Sequence, residues 1–126
     1  MPSQSEVVRV LVVDDRLEMA ETIADNLRDR GYRAVAVASG REARRVLRTE
    51  RVDALVTDLR MPEIDGLSLL RMSIELDPSR PVIMMTAYSG LDTAMEATGA
   101  GVFHYLIKPF RLDALVRVLE QALLKV

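Results

Sequence analysis

Acidic residues stand at the ends of two apolar runs in this sequence, where they could bind a cation together. Asp14 and Asp15 come directly after VVRVLVV (7–13), and Asp58 ends ALVTD (54–58). Short apolar runs rich in β-branched residues are typical of buried parallel strands, and open parallel sheets bind ligands at the carboxyl ends of their strands. Three carboxylates at one edge would repel each other unless a basic side chain or a hard cation offset them. Carboxylate, carbonyl and water oxygens suit Mg²⁺.

Two other polar residues end later apolar runs. Thr86 closes PVIMMT (81–86), and Lys108 follows VFHYLI (102–107). Only Lys108 and Lys125 are lysines, whereas the other basic residues are arginines. Because lysine is a compact point charge on a flexible stem, Lys108 is a candidate for offsetting the three carboxylates.

Several of these residues also have a simpler interpretation. Asp58 could close a strand and begin a turn. Asp15 has Glu18 three residues later, a spacing typical of a helix cap, although a capping carboxylate could still bind a metal through its other oxygen. Thr86 could be an ordinary β-branched strand residue. A shared binding site requires the strands to bring all these polar residues to one edge of the sheet, whereas the simpler interpretations do not.

The elements that must position these residues follow a strand-then-helix pattern repeated five times. Expected strands are 7–13, 33–37, 52–58, 81–86 and 102–107. Expected helices are one ending at Gly31, then 40–50, 66–76, 91–98 and 111–126. This alternation predicts an α/β fold: a single doubly wound, five-stranded parallel sheet in the flavodoxin-like order 2-1-3-4-5, with helices on both faces.

Composition narrows the function classes. The 126 residues predict one domain (1–126, with an ordered core of about 7–126), and a net charge of -2 offers no footprint for direct nucleic-acid binding. No apolar run approaches the roughly 18 residues of a membrane span, and residues 1–6 lack the features of a signal peptide. The absence of cysteine excludes disulfides and thiolate metal sites, and it fits a cytoplasmic protein. The chain has a single histidine, His104, so a metal site built from several histidines is excluded.

The segments VLVVDD, VTDLRMPEIDG, MMTAY and FHYLIKPF occur in this order and resemble the receiver domain of two-component response regulators. The resemblance covers the chain from about residue 7 to its end. It implies that Asp58 accepts a phosphoryl group from the phosphohistidine of a sensor histidine kinase, without further enzymatic activity. It also implies a Mg²⁺ site, in which Mn²⁺ can substitute, with these ligands: Asp14, Asp15, Asp58 and the backbone carbonyl of Arg60.

The same resemblance assigns roles after phosphorylation. Lys108 would pair with the phosphoryl group, the Thr86 hydroxyl would hydrogen-bond to it, and Tyr105 would be the switch aromatic. A carboxylate is a competent nucleophile toward phosphorus, and phosphoryl transfer depends mainly on positioning and charge neutralisation. We expect Thr86 and Tyr105 to relay the modification to an output domain. A packed strand aromatic is the simpler interpretation of Tyr105.

Two side chains should border the in-line approach of water to a phosphorylated Asp58. Arg60 lies two residues after Asp58, and Tyr88 lies two residues after Thr86. Both could displace the attacking water, and neither is a good general base, so we expect slow self-dephosphorylation. The alternative is that both side chains point into solvent.

The end of the chain predicts a longer protein. The stretch 84–110 resembles the N-terminal receivers of sigma-54-dependent, nitrogen-regulator-type transcription activators, which implies downstream ATPase and DNA-binding domains. A free-standing receiver is the alternative. The last helix has heptad spacing that favours a homodimer, although packing on its own sheet uses many of the same positions. The heptad residues are Leu112, Val116, Leu119, Leu123 and Val126.

Two other function classes fit the fold less well. Magnesium-dependent phosphohydrolases with an aspartate nucleophile typically have Asp-x-Asp after the first strand, whereas Asp14 and Asp15 are adjacent and Asp58 is followed by Leu59. A flavin-binding module needs hydroxyls or glycines after that strand, and two aspartates there would repel a phosphate.

Overall fold

The structure, a computed structural model, describes residues 7–87 and 91–124. Within them, strands and helices alternate along the chain. The strands are β1 (Arg9–Val13), β2 (Arg33–Val37), β3 (Ala54–Asp58), β4 (Val82–Thr86) and β5 (His104–Ile107). The helices are α1 (Leu17–Asp29), α2 (Gly40–Thr49), α3 (Gly66–Leu76), α4 (Leu91–Gly99) and α5 (Leu112–Leu123).

The five strands form one parallel sheet in the order β2-β1-β3-β4-β5, which confirms the predicted topology. In this order β1 and β3 are neighbours, and their register pairs Val13 with Thr57. The residues that follow this pair, Asp14 and Asp58, therefore leave the sheet side by side. The register alone accounts for why carboxylates 44 positions apart in the chain share one edge.

The core has two layers, one on each face of the sheet, because successive strand residues point to opposite faces. Leu55 of β3 lies in the layer that contains residues of α2 and α3 and Ala97 of α4. Its neighbours Ala54 and Val56 lie in the layer that contains residues of α1 and α5. The predicted placement of helices on both faces is thus confirmed. In the described residues, no helix is long and apolar enough to cross a membrane.

Four strands are shorter than the sequence predicts, and one of them, β4, begins a single residue late, at Val82. β1, β3 and β5 begin at Arg9, Ala54 and His104, each two residues later than expected. Val52 is nonetheless buried, and Val102 packs against the same core layer. Apolar character therefore extends beyond hydrogen-bonded strands, since loop residues also fill the core.

The last helix uses its heptad residues within the domain. Leu115 and Leu119 are fully buried and Val116 nearly so, and Leu112 and Leu123 pack against the same layer of the core. The alternative of packing on the sheet is therefore confirmed at the first four heptad positions, and a homodimer through this helix stays a prediction. Val126, the fifth position, lies outside the described residues.

Candidate functional site

Three carboxylates converge at the carboxyl edge of the sheet. Asp14, Asp15 and Asp58 each offer an oxygen, and these oxygens all lie within 4.8 Å of one another. Asp14 and Asp58 are buried, with relative exposures of 0% and 8%, whereas Asp15 is exposed. This set of oxygen donors fits a hard divalent cation such as Mg²⁺, which binds through carboxylates and keeps several waters.

The turn after β1 orients Asp14. Its Oδ1 accepts a hydrogen bond from the Arg16 backbone N–H at 2.9 Å. Arg16 is also the N-cap of α1, and no side chain caps that helix. The alternative in which Asp15 caps the first helix is therefore wrong, and the Asp15 carboxylate lies instead beside Asp14 and Asp58.

The start of the next loop holds Asp58. The Leu59 backbone N–H donates to Asp58 Oδ1 at 3.0 Å. The first residue of α3, Gly66, approaches so closely that a Cβ there would overlap the Asp58 carbonyl oxygen. The Asp58 backbone is consequently packed against the start of α3, and the Leu59 N–H orients its carboxylate.

Lys108 reaches the carboxylates from the end of β5. Its Nζ lies 2.9 Å from Asp14 Oδ2 and 3.5 Å from Asp58 Oδ1. The Lys108 backbone N–H donates to the Thr86 carbonyl at 2.7 Å, which fixes the start of the loop after β5. The structure thus brings Lys108 to the cluster, with its shorter contact to Asp14.

The electrostatics of the site leave Asp58 short of positive charge. Burial raises the pKa of the Asp58 carboxyl above its usual value, Lys108 lowers it, and the charges of Asp14 and Asp15 raise it again. One ammonium group therefore does not compensate three carboxylates. A bound divalent cation would stabilise the ionised form of Asp58.

Thr86 and Tyr105 lie on the same face of the sheet. Met84 pairs with Tyr105 across β4 and β5, and Thr86 is two residues after Met84, so alternation turns all three side chains toward α4. Thr86 is buried, and Tyr105 is half-buried against the core layer that contains Ala97 of α4. Tyr105 is thus a packed strand aromatic in this structure.

A cleft of about 510 Å³ opens over the cluster. Since one water occupies roughly 30 Å³ of liquid, a phosphoryl group, a cation and several waters would fit. Arg60 is exposed and lines this cleft beside Thr86 and Lys108. Tyr88, the other residue expected to border Asp58, lies outside the described residues.

Some cleft residues were not found from the sequence. Arg16, Met19 and Ala87 line it, and Arg16 also orients Asp14 through its backbone N–H. A backbone donor carries no side-chain signal. Met19 is exposed, with 37% of its surface accessible. Arg16 follows Asp15 and Ala87 follows Thr86 in the chain, and this adjacency was the only sign in the sequence that they line the cleft.

Comparisons with known proteins agree with this geometry. A family model described as the response regulator receiver domain matches residues 10–120. Transcriptional regulatory protein ZraR of Escherichia coli (strain K12) is 40% identical over 116 residues, 92% of this chain and 26% of ZraR. The DNA-binding transcriptional regulator NtrC of Proteus hauseri is 39% identical over 114 residues, 90% of this chain and 24% of NtrC. The predicted similarity to nitrogen-regulator-type receivers is confirmed, and the chain spans about a quarter of these relatives.

Solved structures show the same fold. The chemotaxis protein CheY4 of Vibrio cholerae superposes with a TM-score of 0.86 at 27% identity, covering 93% of this chain and 99% of CheY4. A response regulator of Burkholderia pseudomallei with a phosphorylated aspartic acid, calcium ion and citrate gives 0.83 at 29% identity, covering 89% of this chain and 66% of that one. With most of its length matched by the family model, the chain belongs to the response regulator receiver domain family.

Proposed function

We propose that this receiver domain is a phosphorylation switch that takes a phosphoryl group from a sensor histidine kinase onto Asp58. The observation that carries the proposal is the buried Asp58 carboxylate beside Asp14, Asp15 and Lys108 in an open cleft. The solved relative from Burkholderia pseudomallei, which has a phosphorylated aspartic acid and a calcium ion, supports both the modification and a divalent cation.

In this proposal the acidic cluster holds Mg²⁺, and Mn²⁺ can replace it. When bound, the cation would neutralise charge on the phosphoryl oxygens and would help to orient them for in-line transfer. Burial raises the pKa of Asp58, and the charges of Asp14 and Asp15 raise it further despite the opposing effect of Lys108, which supports a second positive charge at the cluster. The ligands proposed are Asp14, Asp15, Asp58 and the backbone carbonyl of Arg60.

The transfer exchanges one bond to phosphorus for another. Asp58 Oδ1 is engaged by the Leu59 N–H and lies near Lys108, so we assign the attack on phosphorus to Oδ2. The new O–P bond forms as the P–N bond to the donor histidine breaks, and the imidazole leaves with that electron pair. Lys108 then pairs with a phosphoryl oxygen, which requires a modest shift from its present contact with Asp14.

The signal would leave the site through β4 and β5. The Thr86 hydroxyl hydrogen-bonds to the new phosphoryl group, and Tyr105 turns inward into the space that Thr86 leaves. The shared face of Thr86, Met84 and Tyr105 supports this route. Arg60 and Tyr88 would slow hydrolysis by excluding water from the phosphoryl group, a role that the exposed position of Arg60 in the cleft permits.

The setting of the switch is proposed from the relatives. Because the chain spans about a quarter of ZraR and NtrC, we propose an N-terminal receiver that controls ATPase and DNA-binding domains in a cytoplasmic transcription regulator. In that arrangement the receiver itself contacts no nucleic acid. Its only chemistry is its own phosphorylation and dephosphorylation.

Intact-mass measurement after incubation with acetyl phosphate and Mg²⁺ tests the acceptor. We expect one added phosphoryl group on the unmodified chain, none on Asp58→Asn and none without Mg²⁺. Asp29→Asn, an exposed aspartate on α1, is the matched control and should be modified normally. Equal modification of Asp58→Asn would contradict the assignment.

A further inference from the structure

A backbone hydrogen bond joins the two ends of the loop after Asp58, residues 59–65. The Gly66 N–H donates to the Leu59 carbonyl at 2.8 Å. The Leu59 N–H in turn donates to Asp58 Oδ1 at 3.0 Å and to the Met85 carbonyl at 2.9 Å. The loop, which contains the proposed metal-binding carbonyl of Arg60, is thereby tied to the phosphoryl acceptor.

A tight turn lies in the middle of this loop. The Ile64 N–H donates to the Pro62 carbonyl at 2.8 Å, and Glu63 between them has a φ of 67°. This is a γ-turn with a positive φ, a strained conformation that a residue other than glycine seldom adopts. Such a conformation persists only when the surrounding structure holds it in place.

The first residue of α2 packs directly on this turn. A Cβ on Gly40 would overlap the Ile64 carbonyl oxygen and would lie 2.7 Å from Ile64 Cβ. The position of Gly40 is itself fixed, because Ser39 Oγ caps α2 by accepting from the Glu42 N–H at 3.1 Å. Since the nearest atom is backbone, it cannot yield as the end of a flexible side chain could.

An ion pair joins the same two segments at the surface. Arg41 Nη2 lies 3.1 Å from Glu63 Oε2, and both side chains are more than 60% exposed. Exposed pairs contribute little, so the close packing of Gly40 against Ile64 is the stronger restraint on the turn.

We infer that Gly40 is a positioning residue for the metal site, although α2 contributes no ligand to it. By bracing Ile64 and the strained turn at Glu63, Gly40 determines where the carbonyl of Arg60 lies relative to the three carboxylates. A side chain at position 40 would push the loop away and misplace that oxygen. The inference rests on the proposed function, because it assumes that the cluster binds Mg²⁺.

Calorimetric titration of the whole chain with Mg²⁺ tests this inference. Supporting groups around metal ligands typically change affinity 10–100-fold, so we expect Gly40→Ala to raise the Mg²⁺ dissociation constant roughly tenfold. Gly99→Ala is the matched control, since no atom lies within 4 Å of a Cβ built there, and its dissociation constant should not change. Titrations are run well below each thermal unfolding midpoint. A merely structural role for Gly40 would lower that midpoint and leave the dissociation constant unaltered.

A pair of variants at the exposed Glu63 provides a second test in case Gly40→Ala does not fold. Glu63→Gly and Glu63→Val both remove the ion pair with Arg41, but only glycine tolerates the positive φ. We expect Glu63→Gly to retain Mg²⁺ affinity and Glu63→Val to lose it several-fold.

The outcomes separate the inference from the function on which it rests. An unmodified chain that takes up no Mg²⁺ would overturn the proposed metal site and the inference together. Tight binding by the unmodified chain, with equal affinity in Gly40→Ala and in both Glu63 variants, would overturn the inference alone.

Discussion

Asp58 is ionised at a free-energy cost in the metal-free domain. Its side chain is buried beside two other carboxylates, and burial is the main cause of its raised pKa. Between the ordinary pKa of 3.8 and the raised value, the folded state binds this proton more tightly than the unfolded chain does. The stability of the domain therefore falls as pH rises through that window.

Replacing this carboxylate should stabilise the metal-free domain at neutral pH. In the presence of a chelator, we expect Asp58→Asn to raise the free energy of unfolding at pH 7, because the amide places no negative charge in this buried position beside Asp14 and Asp15. The gain should disappear below about pH 3.8, where Asp58 is protonated in both states. Denaturant unfolding across this pH range measures it, with Asp29→Asn as the exposed control. A gain that persists unchanged into acid would refute the electrostatic cause.

The lifetime of the phosphoryl group is a second property set by single residues. Arg60 lines the cleft, and in the proposed mechanism it keeps water from the in-line approach to Asp58. We expect the double variant Arg60→Asn, Tyr88→Ala to dephosphorylate faster than the unmodified chain, whose phosphoryl group should last for minutes or more. Loss of the added mass after removal of acetyl phosphate gives the rate. Equal decay rates would show that these side chains do not shield the phosphoryl group.

At the scale of elements, β4 and β5 connect the acceptor to a distant surface. Thr86, at the end of β4, is buried at the edge of the cleft. Tyr105 of β5 packs against the core layer that includes Ala97 of α4. Couplings between such sites are typically about 1–3 kcal/mol, enough to shift a population several-fold. Phosphorylation should therefore change α4, β5 and α5 as well as the cleft.

Variants at Thr86 test whether its hydroxyl carries this coupling. We expect phosphorylated Thr86→Ser to show amide chemical-shift changes along β5 and α4, as the unmodified chain does. Thr86→Val, which keeps the branched shape without the hydroxyl, should be phosphorylated but lose the changes around Tyr105. Remote changes of equal size in Thr86→Val would exclude the hydroxyl as the relay.

At the scale of the whole molecule, α5 belongs to the core of its own domain. Leu119 is completely buried in the layer shared with α1, and Arg30 of α1 pairs with Asp113 of α5 at 2.9 Å. A dimer formed through α5 would have to use other residues of the helix. Leu124, directly after the helix, is exposed with 72% of its surface accessible and lies outside the core.

Truncation at Leu119 distinguishes a core residue from an interface residue. We expect Leu119→Ala to lower the free energy of unfolding by about 2–5 kcal/mol, the usual cost of a buried leucine. The unfolding midpoint should not depend on protein concentration, because the contact lies within one chain. Gln121 is exposed on the same helix, so Gln121→Ala should change the free energy of unfolding little. A concentration-dependent midpoint that Leu119→Ala abolishes would instead identify a dimer seam.

The elements, their order and the convergence of Asp14, Asp15 and Asp58 were predictable from the sequence. These follow from local information: the period of the apolar residues, the turn residues between them and the handedness of βα units. Strand boundaries were less well predicted, since residues such as Val52 are apolar for the core without joining the sheet.

The partner of each polar group, by contrast, is visible only in the folded domain. Lys108 contacts Asp14 more closely than Asp58, and Asp15 caps no helix. Arg80, which no pattern singled out, is buried, and it donates to the Val52 carbonyl at 2.8 Å and to Ser73 Oγ at 3.0 Å.

The close approach of Gly40 to Ile64 and the burial of the α5 heptad residues were likewise visible only in three dimensions. Each of these contacts joins segments far apart in the chain, so its geometry depends on how all the intervening elements pack. A periodic pattern identifies the apolar face of a helix, but it does not specify what covers that face. In this domain the sheet covers it.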